Sequence, residues 1–444
     1  MPQIRPIPAI TYAPGDISTR IAPPYDVLNE ASKARLLAQD NRNIVAIDLP
    51  HLPAKTVGPD ATYEKAGQVY RQWLDLGELY QHDKPAIFAY QQTYSVKGKT
   101  FKRRGLITNI ALQPFGPASD GKGGVFPHEQ TFSGPKEDRL KLMKATQAQL
   151  SPIFGLHSDP QNKVHALLSK VIDASRPTFA GTTANDDVLH ETWVINDPVV
   201  IAQFEQTLAG SDVYIADGHH RYTTALNYRQ YLTETQGPLP ADHPANFCLF
   251  VLIAMQDPGM IVLPTHRVLG GMLKFDFRSL VSASNGAIKL TPFPGTGTVE
   301  DLAKLEAALP SHGPHAIGVY SPADAPSPLA ILTTTDPDPL KTISPQQSDA
   351  WRQLDVAIVQ HLIVEKICQP KLCEGGTTIS WKFPHTLEEV KADTETPGYQ
   401  VALIVQPTPL ESVRLVSEAN ELMPQKSTFF YPKLATGLVI NPLA

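Results

Sequence analysis

Forty-one prolines are spread through 444 residues, and they limit what this chain can become. Proline fixes φ at about −65° and offers no N–H, so it breaks helix interiors and central strands. A chain punctuated this often is expected to fold into short elements joined by turns, not long helical rods. Hydrophobic residues make up 42% and charged residues 18%, enough apolar surface for a large core and too much for a disordered chain. At roughly 150 residues per domain, the length suggests two or three domains.

Charge and cysteine content exclude further classes. Lysine and arginine total 38 against 44 acidic residues, a net charge of −6, which argues against a globally basic nucleic-acid binder. The three cysteines, Cys248, Cys368 and Cys373, form no C-x-x-C pair, so neither a disulfide framework nor a cysteine zinc site is expected. The N-terminal Met1–Pro6 carries no apolar signal region. The longest apolar run, Phe247–Met255, is far short of the roughly 20 residues of a membrane span and reads as a buried strand. These features point to a soluble, cytoplasmic, multi-domain protein.

Along the chain, Ile4–Asp26 reads as an extended proline-rich loop, Glu30–Gln39 as a helix and Ile44–Leu49 as a strand. Apolar residues at helical spacing predict a helix over Tyr63–Leu79. Ile87–Val96 and Thr100–Ile110 read as a hairpin turning at Lys97-Gly98-Lys99. After the loop Pro114–Gly124, Ser133 reads as an N-cap of a helix reaching about Leu150. Ile153–Leu156 reads as a strand, Lys163–Ala174 as a helix, Glu191–Val194 as a strand and Asp197–Leu208 as a helix. Val213–Ala216 is a short strand leading through Asp-Gly into a helix over His220–Leu232. Interleaved strands, helices and hairpins predict a mixed α/β (α+β) fold rather than a regular doubly wound sheet. The expected division is 1–165, 166–285 and 286–444, with Pro294–Val299 as a small-residue linker.

The densest chemistry lies at Val213–Tyr222, where an apolar strand ends in Asp217-Gly218 and His219, His220 and Arg221 open a helix. A helix N-terminus presents N–H groups and the positive end of the dipole, which suits an anion. Arg221 offers a planar fork for phosphate or carboxylate, and the histidines can donate hydrogen bonds or move protons near neutral pH. Asp217 can hold Mg²⁺, accept a proton or orient a histidine. The plainer alternative is that Asp217 caps the helix, Gly218 makes the turn and the histidines lie at the surface. Adjacent histidines point in different directions on a helix, which argues against one metal held by both.

A second cluster, Phe126–Arg139, sets Glu129 just outside a helix as a candidate general base, with Lys136 and Arg139 at i and i+3. Its alternative is an ordinary capped helix with a solvated charged face. Further candidates are His266-Arg267 after two strands, and Lys426 with Lys433 around an aromatic stretch near the C-terminus. In Ala22-Pro23-Pro24-Tyr25-Asp26, prolines stiffen a loop and fix Tyr25 and Asp26, a pattern for which a purely structural reading is favoured. No Walker-type G-x-x-x-x-G-K-[ST], G-x-G-x-x-G after a strand, G-x-S-x-G or H-E-x-x-H occurs.

Five ordered segments carry a family resemblance: Ala22–Val27, Pro127–Glu129 with Ser133–Lys136, Ser151–Gly155, Ala216–Tyr222 and Met423–Thr428. Together they resemble the domain of unknown function 1015 family over about residues 4–440. The Asp217–Arg221 turn is also similar to the central motif of the ParB/sulfiredoxin-like superfamily, which includes CTP-binding partition proteins, sulfiredoxins and free serine kinases. The free serine kinases carry a similar Asp-Gly-x-His-Arg signature and phosphorylate serine with a nucleoside phosphate.

The resemblance implies a ParB/sulfiredoxin-like core around 213–232 and a phosphotransferase acting on a small hydroxyl metabolite, serine or phosphoserine, in either direction. It implies ATP or ADP and Mg²⁺ as partners, with Asp217 at the metal or the hydroxyl. His219, His220 and Arg221, with Gly218, would hold phosphate, Glu129 would be the base, and Lys136, Arg139, His266, Arg267 and Lys426 would add phosphate or nucleotide contacts. Two other classes are a ParB-like nucleotide-gated regulator or DNA-binding protein, and a metabolite-binding protein without turnover. The net charge and the lack of a helix-turn-helix pattern argue against the former.

Overall fold

The computed structural model describes residues 3–119, 121, 123–184, 186–373 and 376–444. Of the Pro114–Gly124 loop, Asp120 and Lys122 lie outside the described residues. The chain divides into two compact units, Met1–Ile261 with Pro432–Ala444, and Val262–Tyr431. Both mix helices with strands, and the class is mixed α/β.

The main elements of the first unit are, in chain order, helix α1 (Asp60–Asp75), strands β1 (Ile87–Val96), β2 (Lys99–Ala111) and β3 (Gly124–Phe126), helix α2 (Ser133–Thr146), strand β4 (Ile153–His157), helix α3 (Lys163–Ala174), strands β5 (Phe179–Thr182) and β6 (Leu189–Ile195), helix α4 (Pro198–Leu208), strand β7 (Val213–Asp217), helix α5 (His219–Gln236) and strand β8 (Phe247–Ala254). The strands form one sheet in the order β5-β6-β1-β2-β8-β4-β7-β3, with short strands at its margins.

The β1–β2 hairpin turns where expected, at Lys97 (φ 48°) and Gly98 (φ 75°). Two successive positive φ values give the turn whose twist matches the flanking strands. Strand β8 is buried along its whole length between antiparallel β2 and parallel β4, which is why its sequence is continuously apolar. Helices α3, α4 and α5 contribute Leu168, Phe204 and Tyr222 to a core cluster with Ile87, Leu106, Phe250 and Ile215 of the sheet.

One topological feature positions the site. β7 and β3 are parallel neighbours, pairing Val213 with Val125 and Tyr214 with Phe126. Their chain ends therefore point the same way. β7 runs into the Asp217-Gly218 turn, and β3 runs into the loop that carries Glu129. Ligand sites of α/β sheets form outside the carboxyl ends of such strands.

Several local expectations are corrected. Ile44–Leu49 is not a strand, because Val45–Asp48 is a single helical turn. Buried Asn43 fixes it, its side chain accepting from Val45 N–H at 3.0 Å and donating to the carbonyls of Thr19 and Ile21 at 2.8 Å. Ser133 is the first residue of α2 and not its cap; extended Phe132 precedes it without a side-chain capping bond. That helix stops at Thr146, where left-handed Gln147 (φ 49°) turns the chain into Ala148–Gln149, which pairs with Asn441–Pro442. Within Ile4–Asp26 lie the short strands Ile4–Arg5, Ile10–Tyr12 and Gly15–Asp16.

The second unit is built on an antiparallel sheet in the order Ile288–Pro292, Leu329–Thr334, Ile317–Tyr320, Tyr399–Ile404, Arg267–Gly270, Ser380–Lys382. Leu302, Leu305 and Val390 pack on Val268, Ile331 and Ala402 to form its core. Pro294–Val299 leads from a strand into the helix Val299–Ala308, capped by the Thr298 side chain. Among the described residues no helix is long and apolar enough to cross a membrane.

Gly155 in β4 shows how closely the first sheet is packed. A Cβ there would lie 2.8 Å from Phe250 and 2.9 Å from Val213 side-chain carbons. Gly155→Ala is expected to cost about 1–3 kcal/mol through overpacking. The measurement is the urea midpoint, and an unchanged midpoint would mean that the strand has room the geometry denies.

Candidate functional site

The turn after β7 is organised around the Asp217 carboxylate. Its Oδ2 accepts from Arg221 at 2.5 Å and its Oδ1 from Lys433 Nζ at 2.7 Å. Burial alone would raise its pKa, but the Lys433 and Arg221 cations outweigh that and hold the carboxyl far below its ordinary range. Arg221 also donates to the carbonyl of Pro152, the residue before β4. Gly218 is the N-cap of α5, with φ 98°, and no side chain caps the helix. A Cβ at Gly218 would stand 3.0–3.1 Å from the Arg221 guanidinium and would sit on a left-handed backbone. Glycine thus lets the arginine fold back one helical turn onto Asp217. Asp217 is an ion-pair centre and not a helix cap.

The two histidines take a different role from Arg221. The backbone N–H of His128 donates to His219 Nε2 at 3.2 Å, and that of Phe132 donates to His220 Nε2 at 3.0 Å. A nitrogen that accepts carries no proton, so each neutral ring keeps its proton on Nδ1. His219 Nδ1 lies 4.0 Å from Glu129 Oε2. The His128 and His219 rings meet edge to face, 4.7 Å between centroids. Burial lowers His219 well below the ordinary imidazole value, and the same effect pushes His128 down to about 4. His220 is lowered too, first by burial, with Glu129 and Asp26 opposing and Lys55 and Lys136 assisting. The histidines at the start of α5 therefore clamp the loop on both sides of Glu129, whose side chain stays 35% exposed.

More groups gather around His220. Asp26 is presented by the turn Tyr25–Val27, and Lys55 Nζ lies 3.3 Å from Asp26 Oδ2. The Phe132 ring is 43% exposed and lies roughly parallel to the His220 ring, 6.1 Å away. Lys136 opens α2, and its carbonyl accepts from Thr224 of α5 at 3.5 Å. Asp26 belongs to the proline-stiffened motif, but Lys55 carries no local sequence signal. It reaches the site because Gly134 permits close approach: a Cβ at Gly134 would meet the Lys55 carbonyl at 3.2 Å.

Arg139 faces inward instead. Its guanidinium bonds Asp138 Oδ2 at 2.7–2.8 Å and the Asp48 carbonyl at 2.6 Å, and lies 3.9 Å from the centre of the Tyr25 ring. Asp48 in turn accepts from Ser151 at 3.0 Å. Lys136 and Arg139 thus do not act together, and Arg139 holds a buried network behind the turn. The sequence segments around Asp26, Glu129, Pro152 and Asp217 converge within the first unit.

His266, Arg267 and Lys426 belong to the second unit. Arg267 is buried there, donating to the carbonyls of Thr265, Gln425 and Lys426, the last two at 3.3 and 3.1 Å. Burial pushes its pKa down to about 10. His266 Nδ1 accepts from Val405 N–H at 3.3 Å, and its Nε2 lies 3.8 Å from Glu306. Lys426 sits exposed on a left-handed turn, φ 57°.

The expectation that Asp217 binds Mg²⁺ does not fit this donor set, because both carboxylate oxygens are engaged by cations. Among the described residues no group of three or more His, Cys, Asp or Glu side chains is arranged to hold a metal ion.

Solved structures similar to this chain include a mutant free serine kinase in complex with AMP. It is 12% identical with a TM-score of 0.32, covering 71% of this chain and 88% of that one. A conserved hypothetical protein from Pyrococcus furiosus is 14% identical with a TM-score of 0.31, covering 74% and 98%. C-terminally truncated SbnI from Staphylococcus aureus is 10% identical with a TM-score of 0.31, covering 72% and 84%. No curated protein matches the chain. Residues 4–357 match the family described as "Protein of unknown function (DUF1015)", and the chain belongs to that family.

Proposed function

We propose that the first unit is a phosphotransferase for a small hydroxyl metabolite, serine or phosphoserine, with ATP or ADP as donor or acceptor. The observation that carries this is the placement of Glu129. Its carboxylate stands on a loop fixed at both ends by histidine acceptors beside the uncapped N-terminus of α5, and it bears on His220 together with Lys55 and Lys136. Phosphoryl transfer demands positioning and charge neutralisation more than covalent participation by the protein. In the forward sense Glu129 takes the proton of the substrate hydroxyl as its oxygen bonds the terminal phosphorus and the bond to the nucleotide's bridging oxygen breaks. The reverse transfer uses the same groups.

Lys136 and the α5 N-terminus supply positive charge to the transferred group. Asp217 acts by holding Arg221 and Lys433, and no step is assigned to a metal at Asp217. The choice of serine rests on the resemblance of the Asp217–Arg221 turn to the free serine kinase signature.

The first test follows the phosphorus signal by NMR in two mixtures, phosphoserine with ADP and serine with ATP, each with Mg²⁺. Wild type is expected to move phosphate between serine and nucleotide. Glu129→Gln should slow this by about 10²–10⁴-fold, the usual contribution of a general base. Undiminished transfer in the variant would remove Glu129 from that role, and no transfer by wild type would overturn the serine phosphotransferase reading.

The second test concerns pH. Folded His220 titrates below the free imidazole value of about 6.5, first because burial disfavours its charged form, and its Nε2 accepts from Phe132 N–H only while unprotonated. Its contribution is therefore fully present above about pH 6.5 and is lost as pH falls through the lower folded value. The thermal midpoint of wild type should drop between pH 7 and 5 more than that of His220→Gln, whose amide oxygen accepts from Phe132 without titrating. Parallel slopes would show that the loop does not depend on His220.

A further inference from the structure

Asp26 and Lys55 pair as opposite charges at the edge of the Glu129 site, on backbone segments that are firmly held. Asp26 follows Pro23-Pro24 on a one-turn helix whose Tyr25 is buried beneath the Arg139 guanidinium. Lys55 has φ 70°, a left-handed backbone that disfavours a residue with a Cβ by roughly 1–2 kcal/mol. Its loop is fixed nonetheless. Thr56 Oγ1 donates to the Pro53 carbonyl at 2.6 Å, Gly58 N–H donates to the Tyr63 hydroxyl at 2.8 Å, and Gly134 makes room for the Lys55 carbonyl. Strain of this kind persists where the surroundings over-determine it, and such positions cluster at ligand sites.

The pair itself is open. It is a single contact of 3.3 Å, with the side chains 36% and 26% exposed. A solvated pair of this kind contributes little, so a ligand bringing matched charges can replace it at small cost. Opposite charges side by side also select the ligand. A simple anion drawn to Lys55 meets Asp26, and a simple cation drawn to Asp26 meets Lys55. A molecule carrying both charges a few atoms apart satisfies the two at once.

We propose that Lys55 and Asp26 together recognise a zwitterion, an α-amino acid whose carboxylate pairs with Lys55 and whose ammonium pairs with Asp26, leaving its side-chain hydroxyl to Glu129. This rests on the phosphotransferase reading of the same site and assigns the substrate's head group to two residues outside the Asp217–Arg221 turn. Lys136 remains for the phosphate.

The test is isothermal titration of the full chain with three compounds: L-serine, ethanolamine, which lacks the carboxylate, and 3-hydroxypropionate, which lacks the ammonium. Serine should bind at least about tenfold more tightly than either, as expected for loss of one charge-assisted contact. Lys55→Gln should erase the preference over ethanolamine while keeping that over 3-hydroxypropionate, and Asp26→Asn should do the reverse. Equal binding of the three compounds, no binding of serine, or variants that keep the wild-type preferences would overturn the proposal. Turnover is read separately. Serine bound with this pattern but never phosphorylated would defeat the phosphotransferase reading and leave zwitterion recognition standing. Phosphate transfer to hydroxyl compounds without regard to either charge would do the opposite.

Discussion

A single carboxylate, Asp217, ties together the parts of the first unit on which the site depends. It ends β7, begins the turn into α5 and is held by two cations from different segments. Arg221 also bonds the Pro152 carbonyl and so secures the approach to β4. Lys433 comes from the C-terminal segment, and its carbonyl accepts from Gln92 of β1 at 2.9 Å. With side-chain exposures of 12–20%, this triad lies between a surface pair, worth about 0–1 kcal/mol, and a buried one, whose rupture costs about 3–5 kcal/mol. Charged groups concentrated at a turn are easily read as ligand contacts. Here two of them are spent on each other, and that expenditure fixes the shape of the turn.

The histidines follow from the same geometry. With Arg221 folded back and Gly218 left-handed, α5 begins with His219 and His220 directed at the neighbouring loop. Because β3 and β7 are parallel neighbours, that loop is the one carrying Glu129. Both imidazoles accept backbone N–H bonds, and burial keeps them neutral. Neutral acceptors are poorly placed to hold phosphate, and the proposed function therefore gives that task to the lysines and the helix N-terminus. The histidines are better described as positioning residues for Glu129.

The fold was legible where local physics decides alone. The Lys97-Gly98 turn, the helix Lys163–Ala174 and the strand into Asp217-Gly218 follow from turn chemistry and periodicity. It was illegible where tertiary contacts choose. The run Ile44–Leu49 is short and apolar, and periodicity cannot separate a strand from a buried helical turn. Asn43 decides it through carbonyls more than twenty residues away in sequence. At the candidate site, Asp217 and Glu129 stand out because their motifs concentrate ionisable groups, whereas Asp26 sits in a proline-stiffened loop that reads first as structural. Arg139 looked equally suitable at i+3 from Lys136, yet α2 turns that face towards Asp48 and Tyr25. Lys55 has no motif, and tertiary packing, including that of its loop on Gly134, brings it in.

The overall charge of −6 gives no hint of this arrangement, because at the site each carboxylate stands close to cations. Asp217 is balanced by Lys433 and Arg221, and Asp26 faces Lys55. Glu129 and Lys136 act on the same imidazole in opposite senses. Opposed charges this close exert little long-range field, because their contributions cancel with distance. In the proposed function such a site would discriminate at contact, where the spacing of charges on a small molecule either matches the site or leaves a charge unsatisfied. On the zwitterion proposal, specificity lies in Asp26, Lys55 and Glu129, and the Asp217 triad is the frame that keeps them in register.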